Sequence, residues 1–105
     1  MNFGLEESHL REIRQIIGEF LSIESGILFG SRAMGTFSPS SDVDIAITGE
    51  DVCLKDQIRL SARLNENRAL LKYDVVRYCT ITNKKLIDHI LKYGVKIYER
   101  QKGAA

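Results

Sequence analysis

Asp42 and Asp44 flank Val43 in the segment Asp42-Val43-Asp44-Ile45-Ala46-Ile47. On an extended chain their Cα atoms would lie roughly 6.5–7 Å apart on one face, with Ala46 beside them and Val43, Ile45 and Ile47 behind. Carboxylates so placed can converge on a hard cation. Magnesium prefers oxygen ligands and takes one or two carboxylates, with phosphate oxygens and water completing its shell. Such a pair alone also occurs on solvated strand edges. A second signal lies upstream, where Gly30-Ser31 ends the apolar run Ile27-Leu28-Phe29 and opens a stretch rich in Gly, Ser, Thr and Pro. A strand that breaks into a turn exposes backbone N–H groups and a hydroxyl, a concavity suited to phosphate oxygens, more so where a helix begins. Gly30 would admit a phosphate close to the backbone, and Gly35 would let the connection turn sharply. No Walker-type loop is present, because the GxxxxGK[ST] spacing is absent. Taken together, Gly-Ser, ten intervening residues and Asp-x-Asp are harder to reach by accident than either signal alone.

These residues need a scaffold, and hydrophobic periodicity outlines one. From Leu5 to Leu21 apolar residues recur at Leu10, Ile13, Ile16, Ile17, Phe20 and Leu21, the pattern of one helical face. Ser25-Gly26 breaks that helix, and Ile27 to Phe29 reads as a short buried strand. Residues 30–41 read as a loop with one helical turn near Arg32 to Met34, and strand alternation resumes at Asp42. A second helix is expected from Val52 to Arg68, with Leu54, Ile58, Ala62 and Leu64 inward. Tyr73 to Tyr78 reads as a strand, with Asp74 on the face of Val76 and Tyr78. Asn83 is suited to cap a helix carrying Leu86, Ile87, Ile90 and Leu91, and Gly94 to stop it. Val95 to Tyr98 makes a last strand, and Gln101 to Ala105 is expected to fray. The order of elements implies an α/β (α+β) domain spanning residues 1–105, a mixed β-sheet of about four strands with helices packed on it.

Composition narrows the function. The 105 residues carry a net charge of +1, and no Lys/Arg run exceeds two residues, so neither nucleic acid nor a membrane surface is indicated. No apolar run approaches spanning length. Cys53 and Cys79 lack metal-ligand spacing and read as part-buried packing residues in a reducing, cytoplasmic compartment. His9 and His89 fall on expected helices away from the Gly30–Asp44 segment and read as surface or core-edge residues. Tyr73, Tyr78, Tyr93 and Tyr98 read as packing residues.

Gly30-Ser31-Arg32-x-x-Gly35 followed by Ser41-Asp42-x-Asp44 resembles the signature of the DNA polymerase β-like nucleotidyltransferase superfamily. Size and motif style point to its minimal nucleotidyltransferase (MNT) branch, which accompanies HEPN-domain proteins. The specific resemblance covers Ile27 to Ile47, with weaker similarity at Tyr73 to Val76 and Gly94 to Tyr98. It implies a third carboxylate from a neighbouring strand, for which Asp74 is in the matching context. A surface aspartate paired with Lys or Arg is the alternative.

The resemblance further implies transfer of a nucleoside monophosphate by two magnesium ions roughly 3.5–4 Å apart. Asp42, Asp44 and Asp74 would be the metal and catalytic residues. Gly30, Ser31, Arg32 and Ser41 would bind the phosphates of ATP or another nucleoside triphosphate, unless Arg32 faces solvent. A chain this short holds a nucleotide site with little room for an acceptor pocket, so the acceptor is expected on a partner. The resemblance points to a helical HEPN toxin, silenced by AMP transfer to a tyrosine. Two other readings stay open: an antitoxin acting by complex formation alone, and a free-standing transferase for a small hydroxylated substrate.

Overall fold

The chain condenses on the alternation of one strand. Val43, Ile45 and Ile47 are buried on one side of it, while Asp44 and Ala46 point to the other. The computed structural model describes residues 3–67 and 69–101. Its elements run α1 (Glu7–Gly18), β1 (Ser25–Phe29), α2 (Gly30–Met34), β2 (Val43–Thr48), α3 (Leu54–Asn65), β3 (Tyr73–Arg77), a 3₁₀ turn (Tyr78–Thr80), α4 (Lys84–Tyr93) and β4 (Val95–Glu99). The strands form one mixed four-stranded sheet in the order β3-β2-β1-β4. β1 is antiparallel to both β2 and β4, and β3 is parallel to β2. A parallel pair cannot be joined by a hairpin, and α3 supplies the crossover between β2 and β3.

Each face of the sheet has its own cover. Leu28, Val43, Ile45, Ile47, Val75 and Ile97 pack against Ile13, Ile16 and Ile17 of α1 and Leu60 and Leu64 of α3. On the opposite face Phe29 and Ala46 meet Ile90 of α4, flanked by Ile27, Val76, Tyr78 and Leu86. The first cluster is much the larger, and it fixes the strand register that places the second. Each fully buried Leu or Ile contributes roughly 1.5–3 kcal/mol.

Three expectations change in detail. α2 begins at Gly30 itself, so the turn after β1 enters a helix directly. Ser25 and Gly26 belong to β1 instead of merely ending α1, and Leu21 is exposed. In α3 the inward residues are Leu60 and Leu64, whereas Leu54 and Ile58 are 55% and 60% exposed. The physical reason is that α3 also closes the free edge of β3. Gln57 Nε2 donates to the Val75 carbonyl at 2.8 Å. The Asn65 amide accepts from Tyr73 N–H at 2.9 Å and donates to the Tyr73 carbonyl at 3.1 Å. Polar residues therefore take inward positions that an apolar stripe would otherwise fill.

The Asn83 side chain caps α4, accepting from Lys85 N–H at 2.9 Å and Leu86 N–H at 3.3 Å. Cys53 and Cys79 are free and exposed, contrary to the part-buried packing expected of them. Among the described residues no helix is long and apolar enough to cross a membrane. α3 is shorter at both ends than the expected Val52 to Arg68, running Leu54–Asn65, and Arg68 and residues 102–105 of the tail lie outside the described residues.

Leu60→Ala should lower stability by about 2–5 kcal/mol, as removal of a buried side chain does. Leu54→Ala should stay within about 0.5 kcal/mol of the parent, since a surface position forfeits little. Urea unfolding of the two variants checks the helix face.

Candidate functional site

The antiparallel pairing of β1 with β2 sets Phe29 opposite Asp44, and the parallel pairing of β2 with β3 sets Asp44 opposite Asp74. Residues directly opposite share a face, so the three form one row on the α4 side of the sheet. Asp42 immediately precedes β2 and is exposed, as is Asp74; Asp44 is part-buried between them. The three carboxylates named from the sequence are thus brought to one end of one sheet face.

β1 stops there because of Gly30. Its φ of +76° is a left-handed conformation that side chains rarely adopt. A Cβ at this position would lie 2.2 Å from Asp44 Oδ2, so the backbone of the turn rests directly against the carboxylate. The glycine is demanded by Asp44, independently of any phosphate. α2 closes at Gly35, whose φ of +84° lets its N–H turn back to the Ser31 carbonyl. The Thr36 N–H bonds the same carbonyl at 3.0 Å. The Ser31 hydroxyl, by contrast, makes no hydrogen bond to any described residue.

Arg32 occupies neither of its two expected places, the phosphates or solvent. It is 1% exposed. Its Nε and Nη2 donate to the Ser41 carbonyl at 3.1 and 3.0 Å, and Nη1 donates to the Phe3 carbonyl at 2.9 Å. Nη2 also reaches the Pro39 carbonyl at 3.4 Å, and the guanidinium lies 5.3 Å from the centroid of the Phe37 ring. A fully buried guanidinium is tolerated only with its donors occupied, and here backbone carbonyls occupy them. Ser41 is drawn into the same work, its Oγ accepting from the Ser38 N–H at 2.8 Å. Arg32 and Ser41 therefore brace the loop that delivers the chain to Asp42.

His89, expected away from the Gly30–Asp44 segment, instead reaches it. Its Nε2 accepts from the Gly30 N–H at 2.9 Å, which brings α4 onto the turn. The imidazole sits edge-on to Phe29, centroids 6.2 Å apart, and 5.3 Å from the Tyr93 ring. The spacing Leu86, His89, Ile90, Tyr93 is one helical face, and that periodicity was the available signal.

The electrostatics follow from the crowding. Burial pushes the Asp44 carboxyl up to about 6, the charges of Asp74 and then Asp42 push it the same way, and His89 pulls it down. Among the described residues none of the three aspartates is ion-paired. Nor do three His, Cys, Asp or Glu side chains converge there into a ready metal cage. The uncompensated oxygen donors fit magnesium shared with a phosphate chain, which needs only one or two carboxylates from the protein.

The family described as polymerase beta, nucleotidyltransferase matches residues 11–103. The chain belongs to this family. A Methanocaldococcus jannaschii protein, MJ0141, named as a candidate protein adenylyltransferase, is 31% identical over 98 residues, covering 84% of this chain and 94% of its own. Among solved structures, one of a toxin–antitoxin with AMP-PNP superposes with a TM-score of 0.70 at 21% identity, covering 93% of this chain and 77% of that one. Another, a tri-AMPylated Shewanella oneidensis HEPN toxin in complex with MNT antitoxin, gives a TM-score of 0.68 at 17% identity, with 93% and 76% covered. At those identities the structural likeness establishes the polymerase β-like fold. Family membership makes this chain a nucleotidyl-transfer enzyme with a nucleoside triphosphate as its substrate class.

The raised Asp44 value carries a stability consequence with a definite sign. Between roughly pH 4 and 6 the folded chain keeps a proton that the unfolded chain, with an ordinary Asp, releases. That contribution is full below about pH 4 and lost as pH rises through about 6, leaving a strained carboxylate at neutral pH. In EDTA at pH 7.5, Asp44→Asn should therefore stabilise the protein, on the order of 1 kcal/mol after solvent screening. Thermal melts from pH 4 to 8 should show the variant with a flatter profile than wild type over that window.

Proposed function

We propose that this nucleotidyltransferase moves AMP from ATP to a hydroxyl group on a partner protein, acting as the antitoxin of a helical HEPN-type toxin in the cytoplasm. The observation that carries the reading is the row of carboxylates, without an ion pair among the described residues, with Asp44 held against Gly30, Asp74 opposite it and Asp42 beside it. The named activity of the Methanocaldococcus jannaschii relative, and the AMPylated toxin in one structural neighbour, support the choice of AMP and of a protein acceptor. Two free cysteines are compatible with a reducing compartment.

Each residue has a distinct part. Asp42, Asp44 and Asp74 would hold magnesium that accompanies the triphosphate. Magnesium, when bound, supplies positive charge that offsets the triphosphate and the departing pyrophosphate. Ser31, whose hydroxyl has no hydrogen-bond partner among the described residues, donates to a phosphate oxygen at the mouth of the turn. Asp74 takes the proton of the acceptor hydroxyl as its oxygen attacks the α-phosphorus. The bond from that phosphorus to the oxygen bridging the β-phosphate breaks, and pyrophosphate leaves. Arg32 and Ser41 serve at one remove, by holding the loop rather than the phosphates. Catalysis of this kind rests on positioning and charge, so the aspartates outweigh the loop residues.

Calorimetric titration of ATP and GTP with magnesium should show ATP binding to wild type and loss of binding in the Asp42→Asn/Asp44→Asn double variant. Binding of neither nucleotide to wild type would remove the proposal. Asp74→Asn should keep ATP affinity within a few-fold while AMP transfer falls by about 10²–10³-fold or more, the scale of one lost electrostatic contact at the reacting group. Mass spectrometry of the partner co-expressed with each variant reads the transfer directly. A partner silenced fully by the double variant, without any adduct, would instead assign neutralisation by complex formation.

A further inference from the structure

The sequence motif contains no histidine, yet the one backbone N–H at the centre of the Gly-Ser turn is committed to a histidine side chain. Gly30 N–H donates to His89 Nε2 at 2.9 Å, from an element that lies fifty-nine positions further along the chain. We infer that His89 is a positioning residue: it fixes the Gly30 peptide against Asp44 and so sets the direction in which the Ser31 hydroxyl and the following amides face the nucleotide. The inference rests on the nucleotidyl-transfer reading for its consequence, though not for its geometry.

Three observations lead to it. First, Gly30 cannot be held by ordinary helix bonding, since it is the first residue of α2 and its N–H has no carbonyl one turn earlier to reach. An apolar side chain at position 89 would leave this part-buried donor without a protein partner. Second, the peptide that His89 grips is the one packed on the carboxylate, with Asp44 Oδ2 only 2.2 Å from where a Cβ of Gly30 would stand. A shift of the turn toward β2 is blocked by Asp44, and a shift away is resisted by the bond to His89. Third, the imidazole is itself fixed. Phe29 meets it edge-on at 6.2 Å and Tyr93 at 5.3 Å, while Ile90 beside it is buried on the sheet. Because Nε2 is the acceptor, the ring proton of the neutral imidazole sits on Nδ1.

The acceptor, not the ring, is what the inference requires, and two substitutions separate them. His89→Phe keeps an aromatic ring between Phe29 and Tyr93 and has no acceptor. His89→Gln can place Oε1 near the position of Nε2. Amide exchange at Gly30 and calorimetric titration with magnesium and ATP are read on both, beside wild type. The Phe variant should exchange Gly30 N–H about tenfold faster and bind ATP up to about tenfold more weakly, the scale of one lost hydrogen bond. The Gln variant should restore both to within about twofold of wild type. The wild-type ring offers a readout independent of any variant: long-range ¹H–¹⁵N spectra at pH 8 should show the Nδ1–H tautomer. A proton on Nε2, an unchanged Gly30 amide in the Phe variant, or a Gln variant no better than Phe would each overturn the role of His89. Failure of wild type to bind ATP would overturn the nucleotidyl-transfer reading, while the Gly30 amide and the tautomer would still decide whether His89 holds the turn.

Discussion

The arrangement depends on one unfavourable juxtaposition: Asp44 and Asp74 stand directly opposite each other across adjacent strands, with Asp42 close by. Like charges placed opposite on a sheet oppose folding. Burial, and then the charges of Asp74 and Asp42, push the Asp44 carboxyl up to about 6. Nothing in the row's own chemistry would choose this register. It is imposed from the other side of the sheet, where Val43, Ile45, Ile47, Tyr73 and Val75 enter the main core. A slip of one residue in β2 or β3 would send those side chains to the wrong face, at a cost far above that of the repulsion. The larger core therefore holds the charged row in place, a common relation between a scaffold and a site that is strained without its ligand.

The edge of the sheet shows the same division. β3 carries Asp74 and is an edge strand, with unpaired backbone groups that would otherwise be free to fray or pair elsewhere. Asn65 and Gln57 of α3 take up those groups on either side of Asp74, and Gln57 also accepts from Arg77 Nε at 3.1 Å. The side-chain amides thus give the exposed Asp74 the fixed backbone of an interior strand. This is also why α3 departs from a simple amphipathic pattern.

What the sequence makes legible follows from range. The alternation at Asp42 to Ile47, the Asn83 cap and the Gly-Ser turn are local, and each is decided by a few neighbouring side chains. Parity assigns Asp44 and Asp74 a face within each strand, but the resemblance to the superfamily is what points to Asp74, and the pairing of β2 with β3 that makes the row is seen only in the fold. The hidden features are those in which a residue serves a distant backbone. Gln57 and Asn65 look like solvent-facing helix residues until β3 is placed beside them. Arg32 looks like a phosphate ligand until Phe3, Pro39 and Ser41 are seen to converge on it. His89 looks remote because fifty-nine positions separate it from Gly30. Composition and periodicity register side chains that seek other side chains, and they are nearly blind to side chains that satisfy peptide groups.

That blindness matters most for Arg32, since an arginine in a Gly-Ser loop invites a phosphate. The structure places the charge where it does something else. Its hydrogen bonds tie the Phe3 carbonyl near the start of the chain to the Ser41 carbonyl just ahead of Asp42. They thereby fasten the N-terminal segment and the exit of the loop to α2. A loop of this composition left to itself would sample many conformations, and ordering it on each encounter with a nucleotide would weaken binding. The buried guanidinium settles that ordering during folding instead. Asp42 and the Gly-Ser turn are thereby presented as parts of one surface ordered before any ligand arrives, which is the condition under which electrostatic positioning is most effective.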